Sequence, residues 1–164
     1  MAFDAFLTFG GKEIVGESTR KGFEDSIEIL SFSMGASNPV TIGSSAKGGG
    51  AGKASLSPFS FMKHCDAASP LMFQASCKGL HFPKVKVTLR KAGGTSPVDY
   101  LVYEFEKCYL DSVQWSGASG GDDRPIESCS MTYGKVTVTY TPQDEKGNPV
   151  GKPQIGTWDV TTVA

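Results

Sequence analysis

Apolar and polar residues alternate through most of this chain with the period of a pleated strand. Met1–Phe9 sets Phe3, Ala5, Leu7 and Phe9 on one side with Phe6 opposite, the pattern of an opening strand. Lys84–Arg90 opposes Val85, Val87 and Leu89 to Lys84, Lys86, Thr88 and Arg90, which predicts a strand with one wet face. In Ile27–Met34 the apolar phase flips between Ile29 and Leu30, so a bulge or a change of facing is expected there. Val98–Trp115 is long for one strand. Its phase moves from Leu101, Tyr103 and Phe105 to Cys108 and Leu110, then to Val113 and Trp115, and two segments joined by a bend or bulge are expected. Leu56–Cys65, Pro125–Gln143 and Gln154–Val163 also read as strands, with turns at Gly10–Lys12, Ala92–Pro97, Ser116–Arg124 and Asp144–Gly151. Several antiparallel strands with few helical signals predict a closed or nearly closed barrel, which also removes vulnerable edges.

One stretch breaks the strand rhythm. In Ser69–Gly79, Ser69 and Pro70 are start signals, and Lys78 and Gly79 are stop signals. The helix expected over about Ser69–Lys78 carries Leu71, Met72, Phe73, Ala75 and Cys77 around more than half its circumference. A helix so apolar is not a half-solvated surface helix. Each large side chain gains roughly 1.5–3 kcal/mol on full burial, so a second contact surface is expected. The stretch Ser37–Ser55 differs again, with a glycine-rich centre. A loop of that length inside a compact domain is functional or a linker. Val40 and Ile42 are its sizeable apolar groups.

The 164 residues fit one domain, 1–164, large enough to close a core. The formal net charge is -1 with no basic block, so no footprint for nucleic acid or an anionic membrane is present. No segment has the length of a transmembrane helix, and membrane insertion is not expected. The N-terminus lacks a basic region followed by an apolar run, so no signal peptide is read and a cytoplasmic site of synthesis is expected. Cys65, Cys77, Cys108 and Cys129 are irregularly spaced, which reads as free core thiols.

Chemistry finds little support. Lys47–Ala54 resembles a phosphate-binding loop superficially, but Lys47 replaces its first glycine and Ala54 its magnesium-binding hydroxyl. His64, Cys65, Cys77 and His81 bracket the helix, yet adjacent His64 and Cys65 point to opposite faces of a strand and the spacing is unlike a structural zinc site. Asp122–Asp123 and Glu104/Glu106 read as solvated carboxylates. No catalytic, metal or cofactor-binding residue is assigned, and an enzyme is not expected.

Short motifs in a fixed order carry more information. Val15-Gly16-Glu17-Ser18, Ile27-Glu28-Ile29-Leu30-Ser31-Phe32-Ser33, Phe59-Ser60-Phe61 and Ala67-Ala68-Ser69-Pro70 occur in the first half. Tyr100-Leu101, Ser112-Val113-Gln114, Pro125-Ile126-Glu127-Ser128, Tyr133-Gly134-Lys135, Tyr140-Thr141-Pro142-Gln143 and Trp158-Asp159 follow. Together they resemble the Hcp family, the tube proteins of bacterial type VI secretion. The resemblance implies a two-sheet antiparallel β-barrel flanked by the short helix, without an appended C-terminal effector domain. It implies hexameric rings that stack into a hollow tube, expelled and secreted with spike, sheath and baseplate components and carrying small effectors in the lumen. Residues expected at subunit contacts are Val40, Ile42, Lys47 and Lys53 of the loop and Leu71, Met72 and Phe73 of the helix. The competing expectation is a stand-alone soluble ligand-binding β-barrel.

Overall fold

The computed structural model of the chain describes residues 3–11, 14–40, 50, 52–91 and 96–162. Ile42 and Lys47, with the centre of the glycine-rich loop, lie outside the described residues. The elements are β1 (Asp4–Phe9), β2 (Ile27–Ile29), β3 (Ser31–Ser33), β4 (Ala36–Ser37), β5 (Ser55–Leu56), β6 (Phe59–His64), α1 (Ser69–Lys78), β7 (His81–Lys91), β8 (Val98–Ser116), β9 (Ile126–Thr132), β10 (Lys135–Tyr140) and β11 (Gln154–Asp159). The fold is mainly β with antiparallel pairing and one short helix, as the alternation predicts.

Nine of the strands form one sheet, with the path β2-β1-β7-β8-β9-β6-β3, and with β10 pairing β8 and β11. Its two ends belong to the same chain segment. Residues 27–29 pair with β1 and residues 31–33 pair with β6. Only Leu30 separates them, and its N–H donates to Met62 O at 2.7 Å. The phase flip between Ile29 and Leu30 is this change of partner. The ladder therefore returns to its starting segment, as a barrel requires.

The long strand β8 behaves as two segments. Lys107 sits at φ 58, a left-handed conformation costly for a side chain. Gly134 N–H donates to both Glu106 O (3.0 Å) and Lys107 O (3.2 Å). A Cβ on Gly134 would stand 3.1 Å from Lys107 Cβ, so glycine permits the close approach. A further register shift falls between Leu110 and Ser112. The strand bends as a result, pairing β10 along Leu101–Glu106 and β9 along Tyr109–Ser116.

The interior is filled by rings and branched chains from every wall. Phe59, fully buried, lies 5.0 Å from Phe105 and 5.7 Å from Phe32 between ring centroids. Leu7, Val85, Val87, Cys108, Cys129 and Met131 complete this core. Phe6 points the other way and is also buried, stacked at 4.4 Å on Phe23. The Arg90 guanidinium covers Phe23 at 4.3 Å and is fixed by Asp99 at 2.7 Å.

The turn after Ile14 depends on Gly16, whose N–H donates to Asp25 O at 2.7 Å. A Cβ there would lie 2.4 Å from Ser26 O and 2.8 Å from Ile27 Cα. Backbone cannot yield as a flexible side chain does. Gly16→Ala is expected to destabilise the chain by about 1–3 kcal/mol, measured as a lower urea midpoint at unchanged slope.

Candidate assembly interface

Helix α1 spans Ser69–Lys78 as read from the sequence, but its N-terminus is built differently from the expectation. The capping position is Ala68, with no side-chain cap. Asp66 does the local work: its Oδ1 accepts from Ala68 N–H at 3.0 Å and its carbonyl from Ser69 N–H at 3.1 Å. Ser69 Oγ accepts from Asp66 N–H at 2.9 Å and from Lys63 Nζ at 3.1 Å. At the other end Gly79 takes φ 62 and Leu80 N–H donates to Ala75 O at 3.0 Å, closing the helix in the left-handed manner that glycine favours.

Lys63 is the centre of this junction. It is fully buried, and so is Glu127, whose Oε2 lies 2.6 Å from Lys63 Nζ. The ammonium also donates to Asp66 Oδ1 at 2.8 Å and to His64 O at 3.0 Å. The second oxygen of Glu127 accepts from Trp115 Nε1. A buried ion pair survives only when such hydrogen bonds satisfy both charges. One cation thus ties β6, β9, β8 and the start of α1 together. Trp115 extends the tie outward, packing on Phe73 of the helix at 5.2 Å.

Alternation could have revealed the cluster. Phe59, Phe61 and Lys63 fall on one face of β6, and Glu127, Cys129 and Met131 on one face of β9. Reading both charges as inward would have demanded that they meet.

The residues expected at subunit contacts divide by position. Met72 is fully buried in the chain's own core, with Ala75. Leu71 and Phe73 remain 42% and 46% exposed. Val40 is 59% exposed, and Lys53 is exposed beside it along the loop. That loop starts and ends as a ribbon, β4 pairing β5, with Gly52 N–H donating to Pro39 O at 2.9 Å. The helix and loop residues occupy separate places rather than one cluster. The hairpin β10–β11, read from the sequence as two strands about the Asp144–Gly151 turn but not expected at subunit contacts, carries Ile155 at 68% exposure on one face and the exposed Trp158 and Tyr140 on the other. A groove of about 490 Å³ opens on its apolar face, lined by Met34, Leu56, Tyr103, Val138 and Trp158.

The wet face of the sheet is paired rather than reactive. Arg90 meets Asp99, and Lys135 Nζ lies 3.1 Å from Glu106. Glu104 stands opposite Lys86 in the ladder. Among the described residues no three His, Cys, Asp or Glu side chains are placed to share a metal ion. Cys108 and Cys129 are buried as expected, but Cys77 is exposed and Cys65 partly so. Ten residues of helix offer one buried stripe, and Met72 and Ala75 fill it. Burial pushes the Cys108 thiol up to about 12, with the Glu106 charge adding to it. Burial likewise pushes Cys129 up to about 12, helped by the Glu127 carboxylate.

A family model described as type VI secretion system effector, Hcp, matches residues 6–140. The chain belongs to the Hcp family. It is 36% identical over 160 residues to Protein hcp1 of Pseudomonas aeruginosa, covering 98% of this chain and 96% of that one. Among solved structures, one described as a type six secretion system protein superposes with TM-score 0.91 at 34% identity, covering 98% of both chains. Hcp1 from Salmonella typhimurium superposes at 0.77 with 25% identity, covering 98% of this chain and 97% of that one. Hcp proteins are secreted structural components of type VI secretion that assemble into rings, and they are not enzymes. The barrel with one flanking helix is the Hcp fold, and the polar cluster at Lys63 is a structural device within it.

Lys63→Met alone is expected to cost about 3–5 kcal/mol by leaving the buried Glu127 carboxylate uncompensated, and Glu127→Gln, after which Asp66 still meets the ammonium, is expected to cost less. The double change Lys63→Met with Glu127→Leu recovers most of that loss in equilibrium denaturation. At pH 8 a thiol reagent is expected to label Cys77 fast, Cys65 more slowly, and Cys108 and Cys129 only on unfolding. Because the folded pKa values of the last two are raised, their contribution is complete below the unfolded thiol pKa of about 8.5. It declines through the alkaline range towards about 12, visible as a falling melting temperature.

Proposed function

We propose that the chain is the ring subunit of a type VI secretion tube. Six copies close a ring, rings stack into a hollow tube, and the tube is expelled with its spike while sheath and baseplate hold it before firing. Small secreted effectors ride in the lumen. The observation that carries this reading is the match to Hcp relatives along almost the whole chain. Physical features support it. Large apolar side chains stand exposed on the helix, the loop and the β10–β11 hairpin, more than a solitary protein needs to leave in water. The chain also serves as one Hcp-like unit over its length.

In this reading Leu71 and Phe73 on the helix, and Val40, Ile42, Lys47 and Lys53 on the loop, meet neighbouring subunits or stacked rings. Met72 supports the helix from behind. The stand-alone ligand-binding barrel has less support, because Phe59, Phe61, Phe105 and Met131 occupy the barrel interior.

The test separates folding from assembly. Shortening Ala46–Lys53 while replacing Val40 and Ile42 with Ser is expected to leave the circular dichroism unchanged. The same variant is expected to weaken ring or tube formation and secretion by at least tenfold, about 1.4 kcal/mol. A variant that assembles and is secreted normally would make the loop a linker only. Phe73→Ser examines the helix in the same way, read by light scattering.

A further inference from the structure

A polar cleft of about 270 Å³ lies at the seam where residues 27–33 change partner. Separate pieces of chain build it. Glu17 and Ser18 come from the loop before β2, and Glu28 and Leu30 from the seam itself. His64 ends β6, Asp66 follows in the turn to α1, and Arg124 precedes β9. The cleft is distinct from the barrel interior, which Phe59, Phe61 and Phe105 fill.

His64 gives the first sign of a ligand. Its Nδ1 is sealed from solvent and has no hydrogen-bond partner among the described residues. A buried polar atom left in this state has lost its hydration for no return. The charges give the second sign. Ser18 Oγ donates to Glu28 Oε1 at 3.0 Å and fixes that carboxylate, while Asp66 is already satisfied by Lys63 at 2.8 Å. Glu17, Glu28 and Arg124 line the same cleft, yet none of them forms an ion pair with another described residue. A guanidinium and two carboxylates share one space without reaching each other.

A molecule that carries both charges bridges such a gap. A bare metal ion does not fit, because among the described residues no three His, Cys, Asp or Glu side chains converge to hold one. A simple anion would be repelled by Glu17 and Glu28, and a simple cation by Arg124. The space equals that of about nine water molecules, enough for a free amino acid and too small for a folded chain.

We propose that this cleft binds a free α-amino acid as its zwitterion. Arg124 takes the carboxylate through its planar fork. Glu17 and Glu28 take the ammonium, and His64 Nδ1 accepts one of its protons. Leu30, 49% exposed, gives the ligand's side chain an apolar rest, so a small aliphatic one is favoured. The bound molecule ties the loop before β2 to β6 and to the approach to β9, and so stabilises the barrel at its seam. This site is independent of the ring reading.

The experiment uses the purified full chain and L-leucine, with N-acetyl-L-leucine and L-leucinamide as analogues that each lack one charge. Isothermal titration calorimetry is expected to show saturable, stoichiometric binding of L-leucine, and binding at least tenfold weaker for either analogue. Glu17 and Arg124 are exposed side chains. Glu17→Gln and Arg124→Gln are therefore expected to keep the circular dichroism and to weaken L-leucine binding at least tenfold. The chain has two histidines, and in NMR titrations the ring signals of His64 move while those of His81 stay. Should a variant lose strand content, the analogues and the His64 signals carry the test with the same outcomes. No saturable binding of L-leucine, L-alanine or glycine to the wild-type chain overturns the proposal. So does binding that survives both substitutions together, or that both analogues match.

Discussion

The fold turns on one ammonium group. Lys63 enters a core of phenylalanines because strand alternation gives it no other place, and it is tolerated because Glu127 arrives from 64 residues away to meet it. Asp66 and Ser69 then use the same cation to fix where the helix begins. An apolar residue at position 63 could pack as well, yet it would not specify which serine starts α1 or which way Trp115 turns. The cluster gives direction to a junction that hydrophobic contact alone would leave loose.

That direction matters for a protein whose work is assembly. Hcp proteins perform no chemistry on a substrate, so their surfaces have to be held in shape by the interior. Trp115 links the two: its N–H serves the buried carboxylate while its ring supports Phe73 on the outside. Glu104 opposite Lys86 in the ladder and the Lys135–Glu106 ion pair set opposite charges side by side on the wet face of the sheet. Exposed apolar groups stand on the helix, at Val40 and on the final hairpin, and also at Phe3, Val15, Leu30, Met62 and Tyr109.

Much of the architecture was legible because the period of two is strong where one face is buried. The wet and dry faces of β7, the break at Leu30 and the bend in β8 all follow from apolar phase. So does the helix, from Pro70 to Gly79. The capping atoms were not legible, since Ser69 looks like a cap but is diverted to a lysine that lies six residues earlier. Nor was the exposure of Cys77, because apolar count says nothing about which stripe of a short helix finds a partner. The exposure of the β10–β11 hairpin was missed for a related reason. Composition marks Ile155 and Trp158 as strand residues but cannot say that the sheet ends there.

Closure through residues 27–33 has a kinetic side. The two pairings of residues 27–33 join parts of the chain that are near in sequence, Ala5 with Ile29 and Phe32 with Phe61, whereas β6 meets β9 across the longer span from Phe61 to Cys129. Loop entropy is lost before remote contacts give anything back, so the slow event in building this barrel is the meeting of β6 and β9, and the seam at Leu30 is a quick local closure. The rate at which competent protomers are supplied therefore rests on the pairing that also brings Glu127 to Lys63.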